Sequence, residues 1–181
     1  LGGGIANSGT LTLLRSNVRT STAALGGGFY NGVGAEAVIV NTRIQGNTAD
    51  FGAGLYNFVN ATVTTVNTVI SGNLATDGGG VYSYLAATDL SSTTISGNRA
   101  SDEGGGVYNL AGTSTLENTI VYRNSAATGD DLFAESGTLS AQHAVYGEAS
   151  GTLVDLGDNY ITAGLSANFL FITPVLPSNA P

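Results

Sequence analysis

The sequence contains no cysteine, methionine or tryptophan, only three prolines, and five basic residues, all of them arginine. Without cysteine the chain forms neither disulfides nor a thiolate metal site. The formal net charge of −8 and the shortage of basic side chains argue against binding to nucleic acid or to an anionic membrane surface. The longest apolar run, FLFITPVL from Phe169, is too short to span a bilayer.

Glycine dominates what is present, at 27 of 181 residues, and only 10% of the residues are charged. With abundant threonine, serine and asparagine, this composition favours β structure with many turns over a helical fold. A glycine-rich motif recurs at spacings of 24, 26, 26, 26 and 25 residues, as GGGIAN at 2, GGGFYN at 26, GAGLYN at 52, GGGVYS at 78, GGGVYN at 104 and the degenerate GDDLFA at 129. Such near-equal intervals are typical of repeat folds.

A second motif keeps the same period, with copies VNTRIQGNTA from Val40, VNTVISGNLA from Val66, SSTTISGNRA from Ser91 and ENTIVYRNSA from Glu117. A short alternating segment lies between the two motifs, so each unit holds three strand-sized pieces separated by turn residues. If the chain coils, equivalent strands stack in parallel with a rise of ~4.8 Å per coil. The sequence therefore predicts an all-β fold, a right-handed parallel β-helix (solenoid) with three short strands per coil.

Stacking would place equivalent residues of successive coils in ladders. Two apolar ladders should point into the core, namely Ile5, Phe29, Leu55, Val81, Val107 and Leu132, and Val18, Ile44, Ile70, Ile95 and Val121. An asparagine ladder should lie at a turn, where asparagine tolerates a positive φ and its amide bonds to neighbouring coils. Its members are Asn47, Asn73, Asn98 and Asn124. The glycine triplet should mark dihedral angles, or a close approach of two backbones, that other residues do not allow.

The regular repeat covers residues 1–134 and decays afterwards. We expect residues 135–168 to form one or two irregular coils and residues 169–181 to form an extended strand or tail of the same domain. The apolar residues of this tail are expected either to cap the last coil or to pair with an exposed edge of a neighbouring molecule. They are Phe169, Leu170, Phe171, Ile172, Val175 and Leu176.

An aromatic ladder follows the first apolar column directly, with members Tyr30, Tyr56, Tyr82 and Tyr108. Alternation along a strand turns these rings away from the core that the aliphatic column faces. One interpretation is that the rings stack on one another and stabilise the sheet. The other is an outward stripe that binds surface glycans or packs against a second copy of the chain.

Carboxylates collect around the glycine motif, and the candidate ligands of a Ca²⁺ ion are Asp77, Asp102, Glu103, Asp130 and Asp131. Coils ~4.8 Å apart bring such like charges close together. A bound Ca²⁺ would relieve their repulsion, because it prefers carboxylate and carbonyl oxygen ligands. The alternative is that these side chains simply spread into water, and no other cofactor is indicated.

The paired motifs GGGφYN and NTxIxGNxA resemble the repeats of secreted right-handed β-helix proteins over roughly residues 1–134. These include the polymorphic outer-membrane protein repeats and large bacterial surface proteins of pectin-lyase-like fold. The resemblance implies an extracellular or cell-surface location. It also implies a role as adhesin, stalk or passenger domain or, in other branches, as polysaccharide lyase or hydrolase.

The residues themselves favour a non-enzymatic interpretation. Coil lengths between Gly2 and Gly129 differ by at most two residues, so no long loop walls a cleft, and no paired carboxylates suggest acid and base roles. We therefore expect an extracellular structural protein without catalytic residues, a head-to-tail filament subunit or a segment of a surface stalk or adhesin. The alternative is a carbohydrate-binding or carbohydrate-active β-helix module whose catalytic parts lie outside this chain.

Overall fold

The computed structural model describes residues 1–162, and these residues are all-β. The predicted C-terminal strand at 169–181 lies outside the described residues. Twenty strands form in this range. They are β1 Ile5–Asn7, β2 Thr10–Leu14, β3 Asn17–Arg19, β4 Phe29–Asn31, β5 Glu36–Val40, β6 Arg43–Gln45, β7 Leu55–Asn57, β8 Thr62–Val66, β9 Val69–Ser71, β10 Leu74–Ala75, β11 Val81–Tyr84, β12 Ala87–Ser91, β13 Thr94–Ser96, β14 Arg99–Ala100, β15 Val107–Glu117, β16 Ile120–Tyr122, β17 Leu132–Gln142, β18 Val145–Tyr146, β19 Ala149–Asp155 and β20 Tyr160–Ile161.

The strands stack in parallel as a β-solenoid with three strands per coil, as the repeat predicts. Val81 pairs with Leu55 on one side and with Val107 on the other, and Ile95 lies between Ile70 and Val121 in the same way. One sheet has 11 strands because β15 and β17 each extend through two of the three strand positions, and a second sheet has seven. The right-handed sense of the winding stays a prediction.

The two predicted apolar ladders form the core. From Phe29 to Leu132 the first ladder is fully buried, and so is the second from Ile44 to Val121. The middle strands complete the core with Ile39, Val63, Leu90, Leu116 and Leu139. Every second residue of a strand faces the same side, so the two ladders are continuous apolar columns along the axis. The inward columns of the middle strands also contain the buried polar residues Thr65, Thr88 and Ser114.

The glycine triplet meets both of the demands that the sequence suggests. Its first residue has a left-handed conformation, with φ of +62° at Gly78. At its third residue two coils touch, since a Cβ on Gly80 would lie 2.5 Å from the Gly106 carbonyl oxygen. A side chain at either position therefore strains the coil or pushes its neighbour away.

After residue 134 the pairing becomes less regular. The contact between β17 and β19 skips from Ala134 to Leu139, which leaves residues 135–138 outside the register. No helix in residues 1–162 is long and apolar enough to cross a bilayer.

Candidate functional site

The predicted asparagine ladder is a chain of buried side-chain hydrogen bonds. Each amide nitrogen donates to the Oδ1 of the asparagine in the next coil, at 2.9 Å from Asn47 to Asn73, 2.8 Å from Asn73 to Asn98 and 2.9 Å from Asn98 to Asn124. The same Oδ1 atoms accept the backbone N–H of the preceding asparagine, and each Nδ2 also donates to a carbonyl oxygen of the previous coil. The ladder therefore ties successive coils together inside the structure.

The backbone conformation predicted for these asparagines is wrong. The left-handed residue of this turn is the one just before each asparagine, namely Gly46, Gly72, Gly97 and Arg123. Asparagine is favoured here because its amide donates and accepts at once, which allows an unbroken ladder. Its tolerance of positive φ plays no part.

Asp131 ends this ladder. Its Oδ1 accepts hydrogen bonds from the backbone N–H and the Nδ2 of Asn124, at 3.0 and 2.9 Å, and its Oδ2 accepts from the N–H groups of Gly147 and Glu148. The side chain is buried, and burial raises the pKa of this carboxyl while the four hydrogen bonds oppose the rise. Both oxygens are thus occupied by internal donors.

The other members of the Ca²⁺ set do not converge on one point. The Asp77 Oδ1 accepts from the Glu103 backbone N–H at 3.1 Å, and the Asp130 Oδ1 accepts from the Ala126 N–H at 2.7 Å. In residues 1–162 no three acidic or histidine side chains are grouped so that they could hold a metal ion. These carboxylates are therefore not gathered into one site in the described residues, and the structure lends the Ca²⁺ hypothesis no support.

The four ladder tyrosines stack on one another but do not form an exposed stripe. The ring centroids of Tyr30 and Tyr56 lie 5.7 Å apart, and those of Tyr56 and Tyr82 lie 5.1 Å apart, with nearly parallel planes in both pairs. Tyr108 meets Tyr82 edge to face at 4.7 Å. All four side chains are only 3–8% exposed, so the interpretation of these rings as an outward binding stripe is wrong.

A second layer of apolar side chains covers the tyrosines on the side away from the core. It consists of Leu25, Phe51, Phe58, Tyr84 and Leu110, whereas Phe133 pairs with Tyr108 and continues the tyrosine ladder itself. Residues of this layer line a surface groove of about 290 Å³ together with Tyr56 and Tyr82. We call this the aromatic groove, because four of its six lining residues are aromatic. Phe51 and Tyr84 are half-buried, so their rings are partly accessible at its surface.

Carboxylates border this aromatic layer in the later coils. The position just before the glycines is apolar in two successive coils, where it holds Leu25 and Phe51. It is acidic in the next two coils, where it holds Asp77 and Glu103. The Tyr108 hydroxyl donates to the Glu135 carboxylate. The groove is therefore lined by flat apolar rings and bordered by hydrogen-bond acceptors, a combination complementary to the C–H faces and hydroxyl groups of a sugar.

Sequence reasoning missed a second buried polar ladder, in the last position of the glycine-rich motif. The Nδ2 of Asn7 donates to Asn31 Oδ1 at 2.8 Å, and the Nδ2 of Asn31 donates to Asn57 Oδ1 at 3.0 Å. Ser83 and Asn109 occupy the same position in the next two coils. Ser83 Oγ accepts a hydrogen bond from the Thr88 hydroxyl, and Asn109 Oδ1 accepts one from the Ser114 hydroxyl. The signal was present, because every full copy of the motif ends in asparagine or serine.

Burial of the tyrosine ladder predicts alkaline sensitivity. Burial, with smaller contributions from Tyr30 and Tyr84, raises the pKa of Tyr56 from its ordinary 10.0 to about 12. An unfolded chain releases these protons first, so stability from this source is complete below pH 10.0 and is lost as the pH rises to about 12. Thermal melts over this range should show a falling Tm. Tyr56→Phe should reduce the fall, whereas Tyr160→Phe, which removes a hydroxyl from an exposed ring, should leave it unchanged.

No protein-family model, curated protein or solved structure matches the chain. The parallel β-solenoid follows from the strand pairing alone. The likeness to pectin-lyase-like and polymorphic outer-membrane repeats accordingly rests on the quoted motifs.

Proposed function

We propose that the chain is a non-enzymatic extracellular structural protein, acting as a filament subunit or as a segment of a surface stalk or adhesin of the pectin-lyase-like β-helix type. The observation that supports this proposal is the continuity of the ladders. The Asn47–Asn124 ladder, the tyrosine ladder and the apolar columns run through consecutive coils without interruption. Such stacking produces a stiff rod of uniform cross-section, which suits a protein that spans distance or carries load.

The first coil can continue the stack. In the described chain, β1, β2 and β3 are the end strands of their sheets. At the two ends of β2, the Glu36 N–H donates to the Gly9 carbonyl and the Arg15 N–H donates to the Val40 carbonyl. The backbone N–H and C=O groups of the odd-numbered residues of β2 therefore point towards the second coil. In a parallel pair the residues between them face the other way, so Thr12 offers its N–H and C=O to a further coil, from preceding chain or from another molecule.

Assembly can be tested with one edge-selective variant. We expect the purified 181-residue chain to form fibres that electron microscopy detects and that diffract at the strand spacing of ~4.8 Å along the axis. Thr12→Pro should reduce fibre formation without altering the far-ultraviolet circular dichroism, because proline removes an N–H that faces outward from the coil. Thr12→Ala keeps that N–H and is the matched control. A chain that stays monomeric at every concentration would contradict the filament form of the proposal.

The aromatic groove supports a second candidate function, a carbohydrate-binding module whose catalytic partner, if it has one, lies outside this chain. Phe51 and Tyr84 present ring surface beside hydrogen-bond acceptors, which is the chemistry that recognises a sugar face. Retention on insoluble cellulose or chitin, or on a gel that carries immobilised pectin, should then fall at least about tenfold in Phe51→Ala and Tyr84→Ala. Tyr122→Ala, outside the groove, should bind as the wild-type chain does. Absence of retention on all three polymers would remove this candidate.

A further inference from the structure

The charge of this protein is distributed unevenly along the solenoid axis. Residues 1–49 contain three arginines and one glutamate, a formal charge of +2, whereas residues 102–162 contain one arginine and nine carboxylates, a formal charge of −8. Since equivalent residues stack coil on coil, sequence position corresponds to position along the axis. The described solenoid is therefore electrically polar, with a basic end and an acidic end.

The basic end has a defined arginine patch. Arg15, Arg19 and Arg43 are all exposed. Arg43 pairs with Asn17 of the first coil, two residues from Arg19 on the same side of β3, so the guanidinium groups project from one face. Arg15 and Arg43 line a groove of about 330 Å³ with Asn17, Asn41 and Asn67. None of these three arginines forms a salt bridge within the described residues.

One residue of the acidic end, Asp158, lies on the same ladder as Arg15 of the patch. At the turn before the third strand of each coil, one left-handed residue repeats, and its members are Arg15, Asn41, Asn67, Ser92, Asn118, His143 and Asp158. This turn ladder starts with a cation and ends with an anion. The Asp158 side chain is 78% exposed, and its Oδ2 lies 3.2 Å from Nε2 of His143 in the preceding coil. Glu148 and Asp155 are also exposed on the last coil, in other columns.

We propose that the arginine patch of one copy contacts the acidic coils around Glu148 and Asp158 of a second copy, so that molecules join head to tail with a fixed polarity. This inference rests on the proposed structural function and adds the partner surface to it. Contact of two basic ends or of two acidic ends would place like charges together, and complementary ends attract. A heterologous contact of this kind does not close on itself and so extends into a filament.

Charge reversal on each surface tests the contact. Arg15→Glu with Arg43→Glu changes the formal charge of residues 1–49 from +2 to −2. Glu148→Arg with Asp158→Arg places two cations on the surface that is proposed to contact the arginine patch. Each double variant alone should associate at least about tenfold more weakly than the wild-type chain, as sedimentation velocity measures it. Mixed in equal amounts, the two variants should associate again, because each supplies the complement that the other lacks. Arg99→Glu, an exposed position outside both surfaces, makes the same change in net charge as the single variant Arg43→Glu and should retain association where Arg43→Glu weakens it.

The same series separates failure of this inference from failure of the proposed function. Wild-type association should weaken between low salt and about 0.5 M NaCl, where charges are screened over a few ångströms. If fibres form equally well in high salt, or if the mixture of variants does not recover, the charge contact is wrong and the structural function stands. A different outcome is that no association occurs under any condition, while polygalacturonate binds the wild-type chain but not Arg15→Glu with Arg43→Glu. The patch is then a site for an acidic glycan, and both the contact and the filament role are overturned.

Discussion

Alanine in place of Gly80 should prevent the solenoid from folding normally, with a loss of about 3 kcal/mol or more in the free energy of unfolding. A Cβ at this position would lie 2.5 Å from the Gly106 carbonyl oxygen, 2.9 Å from the Ile95 side chain and 3.0 Å from the Asn98 amide. None of these atoms can yield, because Gly106 belongs to the backbone of the next coil and the other two belong to buried ladders. The two coils would have to separate, which breaks the pairing between β11 and β15.

The control for Gly80 is a glycine in the same coil that no atom approaches. Gly97 has a left-handed φ of +63° with open space beside it, and the equivalent position holds Thr20 in the first coil and Arg123 in a later one. Gly97→Asn should therefore cost no more than about 1 kcal/mol. Circular dichroism during thermal and urea unfolding compares the variants. A Tm of Gly80→Ala equal to that of Gly97→Asn would contradict the crowding argument.

Alanine at Asn73 should be the second severe substitution, with a loss of about 3–5 kcal/mol. The amide of Asn73 donates to Asn98 Oδ1 at 2.8 Å and to the Ile44 carbonyl at 3.2 Å, and its Oδ1 accepts from the backbone N–H and the Nδ2 of Asn47 at 3.0 and 2.9 Å. Removing it leaves buried donors and acceptors on two neighbouring coils without partners. Each such group carries the free energy of its lost hydration.

A matched control for Asn73 is available in the same coil. Asn67 also belongs to an asparagine pair, with its Nδ2 donating to Asn41 Oδ1, but this pair is exposed and its groups can bond to water. Asn67→Gly keeps the left-handed conformation without the amide and should change the free energy of unfolding by less than about 0.5 kcal/mol. Hydrogen exchange of the backbone amide of Asn47 should accelerate in Asn73→Ala and not in Asn67→Gly. Equal stability of the two variants would show that the buried ladder does not hold the coils together.

Much of the fold could be predicted because, in a stacked repeat, each residue contacts the equivalent residue of the next coil. Near-constant spacing identifies Val81 and Val107 as neighbours, and alternation identifies them as core, without any knowledge of the rest of the chain. The same reasoning identified the asparagine ladder and both reasons for the glycine triplet. At the asparagine turn, however, it assigned the left-handed conformation to the asparagine, whereas the preceding residue adopts it. In each case the relevant partner is a copy of the residue itself, one coil away.

The candidate surfaces could not be predicted in this way, because they depend on residues from different columns. The sequence turned the tyrosines away from the core, yet only the structure showed that side chains such as Phe51 and Phe58 cover them. It grouped Asp131 with other carboxylates, yet the coil that follows brings the Gly147 N–H to its Oδ2. These contacts join non-equivalent positions, so the period carries no information about them.

The sequence by itself thus determined which residues stack, which columns are apolar and that the chain is a parallel β-solenoid. Only the tertiary structure decided which outward side chains remain accessible, which backbone N–H groups the Asp131 carboxylate accepts from, and that Arg15 and Asp158 end one turn ladder in the described residues. The physical reason is that stacking is fixed by a single distance, the rise from one coil to the next. Burial of an outward side chain depends instead on how the chain turns at each corner, and on which neighbour that turn places over it.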